Sequence, residues 1–352
     1  MTEHHDPSEV ERLADGLFNS GIEALEQNDL DTAREHLDKA VRRYIEIDDK
    51  HGEAAAHEAL TALAMKHTDL QTAQHHLQKA LQLLADVGED HALPRIHRTL
   101  SLLAAQQGDL AAAEDLQHIA LALARQLDDQ SDCAASHQGL GQLALRRDDL
   151  DAAQHHLEAA LGLYVGLGDR SGRASTHRDF AGLARKRDDL QAAGLHLVTA
   201  LELATQVDDR PHMASAHHDL GELAMLHHDA VNARRHLLAA LHHYPDTVPL
   251  LRPALLNYRL GVLALEHGEL DLAHNHLRTA LAQSAESKKA RFHQLIQRAL
   301  GRIAQARGDL AMAVRHFETA QRLDAEIGGG DKEVHPPGHA AQVVRHRPTE
   351  AE

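Results

Sequence analysis

The sequence predicts an all-α solenoid of eight helical hairpins, and three observations carry that prediction. A carboxylate returns every forty residues, at Asp29, Asp69, Asp109, Asp149, Asp189, Asp229, Glu269 and Asp309. Around it run three rows that are alanine in every period, again in steps of forty: Ala24 to Ala304 before the carboxylate, then Ala33 to Ala313 and Ala40 to Ala320 after it. Apolar residues on both sides of the carboxylate follow the helical repeat. A fixed period overrides the two ordinary domains that 352 residues would otherwise suggest, because stacked repeats share one extended core.

In chain order, residues 1–9 are expected to be a flexible start. The opening MTEHHDPSEVERLADG has neither the basic start nor the apolar run of a leader. No later segment approaches the ~18 consecutive apolar residues of a membrane span. The reading is of a protein that is not exported and works in the cytoplasm, and the single cysteine, Cys133, which can form no internal disulfide, suits a reducing compartment.

The hairpins occupy residues 10–327, and the fourth, GQLALRRDDLDAAQHHLEAAL with its flanks, shows their logic. Leu140, Gly141, Leu143 and Ala144 form one amphipathic helix before the carboxylate. Leu150, Ala153, Leu157, Ala160 and Leu161 form a second after it. Between them Asp149 is placed to accept hydrogen bonds from the first free N–H groups of the second helix and to favour the positive end of its dipole. A methyl group at every crossing lets helix axes approach closely, so the alanine rows mark helix-to-helix contacts. Leucine at Ala144 would overpack that joint, at about 1–3 kcal/mol.

Leu140-Gly141, Ala144, Asp149, Leu150, Ala153, Leu157 and Ala160 sit at the spacings of the small and large packing positions of tetratricopeptide repeats, and the chain resembles that family over residues 10–327. The resemblance implies a right-handed α-solenoid of eight stacked hairpins whose concave surface holds partner peptides. A unit of forty residues, against the family's usual ~34, resembles the variety with an extended second helix found in bacterial regulators and eukaryotic adaptors. The chain departs from the family in offering His137 at the Trp-like place and Leu157 at a bulky aromatic one.

Three prolines interrupt the pattern at residues 244–253, YPDTVPLLRP, which reads as a loop leading into a first helical turn or as a bend in the solenoid. Stacking is expected to resume at Leu260-Gly261 and Ala264. Residues 328–352 read as a disordered tail from their Gly, Pro and charge content.

A net charge of −17 argues against general affinity for nucleic acid or anionic membranes, both of which need a dominant positive field. The chain lacks a phosphate loop, HExxH and GxSxG, so no enzyme, no cofactor and no catalytic residue is expected. Histidine is over-represented, with 32 residues and two rows in the repeat register. One row, His57, His97, His137, His177 and His217, falls on the packed face of the first helices. The other, His36, His76, His156, His196, His236, His276 and His316, borders the packed stripe of the second helices, where each ring is expected to pack with one nitrogen wet. Imidazole could also bind a metal, but the spacing within each helix does not converge ligands, so no metal residue is assigned.

If one side of each first helix packs, the opposite side lines the groove. On a helical wheel that stripe is Arg98, Leu102, Ala105 and Gln106 in the third unit, Gln138, Gln142, Leu145 and Arg146 in the fourth, and Arg178, Gly182, Arg185 and Lys186 in the fifth. It is basic without an acidic residue, in a strongly acidic protein. Further along it turns apolar at Met225, Leu226, Tyr258, Val262 and Leu265. These residues are the expected partner-binding set, for a protein or peptide with acidic and apolar segments. The expected function is a non-catalytic adaptor or regulatory scaffold; the alternative is a ligand- or metal-responsive sensor that uses the histidine rows or the basic pocket. The first unit presents Phe18 and Ile22 instead of the Lys and Asn set with which some tetratricopeptide co-chaperones grip a terminal carboxylate, so that role is not expected. An end repeat could stack on another copy, although Glu23, in a row otherwise Leu or Ile, suggests a solvated N-terminal cap.

Overall fold

The computed structural model describes residues 7–244, 251–284 and 290–328. Among them are sixteen α-helices and no strand. The chain divides into two compact units, Met1–Pro249 and Leu250–Glu352, where the sequence suggested one continuous array. In the first unit six hairpins follow one another: α1 (Pro7–Glu26) with α2 (Leu30–Glu46), α3 (Lys50–Lys66) with α4 (Leu70–Val87), α5 (Leu93–Gln106) with α6 (Leu110–Gln126), α7 (Gln130–Arg146) with α8 (Leu150–Leu167), α9 (Arg170–Lys186) with α10 (Leu190–Gln206), and α11 (Arg210–Leu226) with α12 (Ala230–His243). The second unit has two: α13 (Leu251–Glu266) with α14 (Leu270–Gln283), and α15 (Ala290–Ala306) with α16 (Leu310–Gly328). Helix α1 begins three residues before the expected boundary. The bend proposed for residues 244–253 falls mostly at 245–250, and the tail at 329–352, both outside the described residues.

Each turn is built from two adjacent residues with opposite duties. The first adopts the left-handed conformation, as at Asn28, Thr68, Gly108, Asp148, Asp188, His228, Gly268 and Gly308. The second caps the next helix: Asp149 Oδ1 accepts from the Ala152 N–H at 3.0 Å, and Asp29, Asp69, Asp109, Asp189, Asp229 and Asp309 do the same three residues on. Glu269 holds the cap position without a side-chain cap bond, its longer chain being poorly suited to the tight loop. The same device recurs half a period away, where Asp48, Asp128, Gly168 and Asp208 are left-handed and Asp49, Asp129, Asp169 and Asp209 cap the first helix of the next hairpin. So an Asp cap marks both turns of most repeats, not one; the turn at Gly88–Glu89 has no side-chain cap bond.

Small residues set the packing. Ala153 and Ala160 are completely buried, as are their equivalents in the other hairpins to within a few per cent. Gly141 faces Leu157 so closely that a β-carbon there would lie 2.8 Å from the leucine, and Gly21, Gly221 and Gly261 stand likewise against Leu37, Leu237 and Leu277. Leucine therefore fills the aromatic place of the repeat by resting on glycine. Core clusters bridge neighbouring hairpins, as Ala181, Ala184, Ala193 and Leu197 do with Leu220 and Leu223. This is how hairpins with few aromatics bury a continuous apolar interior.

Candidate functional site

Within the first unit the first helices of successive hairpins touch, α5 against α7, α7 against α9 and α9 against α11. The predicted stripe runs along this line of contact. It is less basic in space than on a wheel, because carboxylates from the neighbouring helix close onto it. Arg98 Nη1 on α5 reaches Asp132 on α7 at 2.6 Å, and Arg178 on α9 reaches Asp219 on α11 at 2.8–2.9 Å. Lys186 Nζ lies 2.7 Å from Asp148. Arg146 donates to the Ala105 carbonyl of the hairpin before it at 3.2 Å, and Arg185 is exposed with no ion-pair partner among the described residues. The expectation of an uncompensated basic face is thus corrected. Asp132, Asp179 and Asp219 belong to adjoining rows of the same face, and a wheel drawn one helix at a time separates them.

At the middle of this line lies a half-buried carboxylate that the sequence did not single out. Asp179 accepts from Gln138 Nε2 at 2.6 Å and from Gln142 Nε2 at 3.0 Å, while Gln138 also donates to Ser175 Oγ and its Oε1 accepts from the Tyr164 hydroxyl. Burial pushes the Asp179 carboxyl up to about 6 against the opposing effect of the two amides. The network ties α7 to α9 through neutral donors in the same way that the Arg–Asp pairs tie the flanking helices.

The apolar members of the set divide. Leu226, at the end of α11, is exposed and Met225 is half-buried. Tyr258 and Leu265 pack against the core of the second unit, Tyr258 edge-on to Phe292 with ring centroids 5.7 Å apart, and Val262 is half-buried on the same helix. Tyr258 and Leu265 therefore serve α13–α15 packing, which corrects their reading as a free partner-facing stripe.

The two histidine rows meet each other. His57 Nδ1 lies 3.0 Å from His76 Nδ1, and the same ring-to-ring hydrogen bond joins His137 to His156, His177 to His196 and His217 to His236 at 3.0–3.1 Å. Each joins the first helix of a hairpin to its second. Where the first ring is absent an amide replaces it: Asn257 Oδ1 accepts from His276 at 2.9 Å and Gln297 Oε1 from His316 at 2.7 Å. In the first hairpin, where Leu17 stands at that place, His36 Nδ1 is buried without a partner. His97 instead bonds to the Leu93 carbonyl at 2.8 Å. The expectation that the second row keeps one nitrogen wet missed this pairing, although the constant separation of nineteen residues between the rows was visible. Among the described residues no group of three or more His, Cys, Asp or Glu side chains converges as a metal site. No helix among them is long and apolar enough to cross a membrane.

No family model and no curated protein matches the chain. Solved structures do. The chain is similar to the apo form of RapI, with a TM-score of 0.53 and 14% identity over 90% of this chain and 99% of that one. It is similar to a tetratricopeptide repeat protein from Parabacteroides merdae ATCC 43184, with a TM-score of 0.52 and 15% identity over 81% of this chain and 98% of that one. It also matches PH0952 from Pyrococcus horikoshii, a signal transduction ATPase with numerous domains that carries a tetratricopeptide repeat sensor, with a TM-score of 0.56 and 11% identity over 87% of this chain and 50% of that protein. The fold is the tetratricopeptide-repeat fold, an all-α array of helical hairpins.

Proposed function

We propose that this protein is a non-catalytic scaffold that binds a protein or peptide partner along the first-helix face of its first unit. The observation that supports this most directly is the layering of that face. Beneath lies the network of Arg98–Asp132, Gln138–Asp179 and Arg178–Asp219, which consumes its polar groups internally. Above it Leu102, Gln142, Arg146 and Arg185 stand exposed on three neighbouring helices, with Leu226 exposed on the next first helix, α11. Rigid helices held in register with a mixed exposed surface suit recognition of an extended or helical segment. Arg146 and Arg185 favour carboxylates on that segment, and Leu102 and Leu226 favour apolar contacts. Arg98, Arg178 and Lys186 act by holding the face together.

The test is affinity capture from lysate with Arg146→Glu/Arg185→Glu, beside a control that reverses exposed second-helix charges, Glu158→Lys/Glu202→Lys. Both variants should match the wild type in helical circular dichroism. A protein retained by wild type and control but lost from the first-helix variant is the expected outcome. Equal retention by all three, or equal loss from both variants, contradicts the reading.

A further inference from the structure

The four histidine pairs are alike in geometry and confined to the first unit. A hydrogen bond between two Nδ1 atoms requires one ring to carry the proton and the other to offer a lone pair, so the partners are opposite tautomers. Neighbours decide which is which. Arg125 Nη2 lies 3.5 Å from His137 Nε2, and since a guanidinium only donates, His137 carries its proton on Nδ1 and donates to His156. In the sixth hairpin Arg235 lies 3.3 Å from His236 Nε2, which makes His236 the donor to His217. In the second, the Glu53 carboxylate 3.8 Å from His57 Nε2 favours a proton there, so His57 accepts from His76.

A pair of this kind can take one added proton on the free Nε2 of the donor ring and keep its bond, but a second must go to the accepting Nδ1, which puts two cations about 3 Å apart and removes the acceptor. We propose that these pairs are proton-operated latches that make the first unit open in mild acid, helix from helix within hairpins two, four, five and six, while the second unit stays closed. In the second unit the counterparts of the first-row rings are Asn257 and Gln297, whose amide oxygens still accept from a protonated His276 or His316.

Burial and the neighbouring cations act in the same direction, against a smaller set of carboxylates. Burial holds His57, His137, His177 and His217 down to about 4, with the partner ring next in effect, and burial also lowers His76, His156, His196 and His236. Around the second-hairpin pair, His75, Lys79 and Arg34 oppose added charge, while Glu53 favours it at His57 and Asp38 at His76. Around the fourth, Arg125, His118 and His155 oppose it and Glu114 favours it at His156. Arg173 faces His177; Arg235 and His243 face His217, and Asp229 alone favours charge at His236. Burial lowers His316 in the second unit as well, and His274 opposes its charge, but the group bonded to its Nδ1 is the Gln297 amide oxygen, which still accepts when the ring is charged. The sign follows from linkage: a ring whose folded value lies below its unfolded value near 6.5 binds its proton on opening, so its contribution is whole above pH 6.5 and is lost as pH falls toward 4.

The test is hydrogen–deuterium exchange of the full chain at pH 7 and pH 5, corrected for intrinsic rates, read by mass spectrometry. Acidification should raise the opening equilibrium of α3, α4 and α7–α12 by at least ~10-fold, since each excluded proton contributes a factor of ten per pH unit in this window. The helices α13–α16 should change less. A variant carrying His57→Asn, His137→Asn, His177→Asn and His217→Asn copies the arrangement at Asn257, and it should lose most of the acid response in the first unit. Should that variant fail to fold, His137→Asn alone should lose it in α7 and α8 only. Equal acid response in the two units, or an unchanged response at the replaced pairs, overturns the proposal.

Discussion

At the scale of single residues, this protein shows how a repeated position tolerates different chemistry when the geometry is kept. The left-handed turn position is Gly in three hairpins and Asn, Asp, His or Thr in the others. Asn and Asp visit that conformation readily, whereas a β-branched side chain does not. Thr68 at φ 57° is therefore strained, and Thr68→Gly should raise stability by about 1 kcal/mol, measurable as an upward shift of the urea midpoint with unchanged slope. A loss of stability would show that Thr68 contributes through its side chain. The Arg98–Asp132 pair is a different kind of residue-scale device, with side chains only 20% and 17% exposed and a neighbouring hairpin on each end. A double-mutant cycle with both changed to Ala should give a coupling of about 1 kcal/mol, at the upper end for exposed pairs. The caps at Asp29 to Asp309 were legible from the sequence because a cap is a local event. Asp132, Asp179 and Asp219 were not, because their partners lie on another helix about forty residues away.

At the scale of the helix, the alanine rows carry the packing. Ala160 has no exposed surface, and it packs in one buried cluster with Ala134 of α7 and with Tyr164. Ala160→Leu should destabilise by about 1–3 kcal/mol and broaden the melt of the central hairpins, as read by denaturant unfolding. A neutral effect would mean that the joint has slack. Period and small-residue rows together made the sixteen helices legible as eight hairpins. What they left out was a correlated pair: Tyr44 and Tyr164 lie against Gly52 and Gly172, where a β-carbon would be 2.3–2.4 Å from the ring. A tyrosine with a glycine eight residues on is a sequence signal, but its meaning needs the turn between them to be known.

At the scale of the whole molecule, the repeat yields two units with different polar wiring. The first joins hairpins with Arg–Asp and Gln–Asp links across first helices and with histidine pairs inside hairpins; the second replaces the latter with amide–histidine pairs. Charge patterning read along the chain overstated the positive character of the first-helix face, since compensation occurs between helices. The face of α5, α7 and α9 is the one proposed to hold a partner. The most direct measurement places a photo-crosslinking residue at Gln142, exposed on α7, and in a second preparation at Glu158, exposed on α8, and compares the products formed with a captured protein. A crosslinked product is expected from position 142 and none from position 158. Crosslinking from position 158 alone would place the partner on the second helices and contradict the proposal.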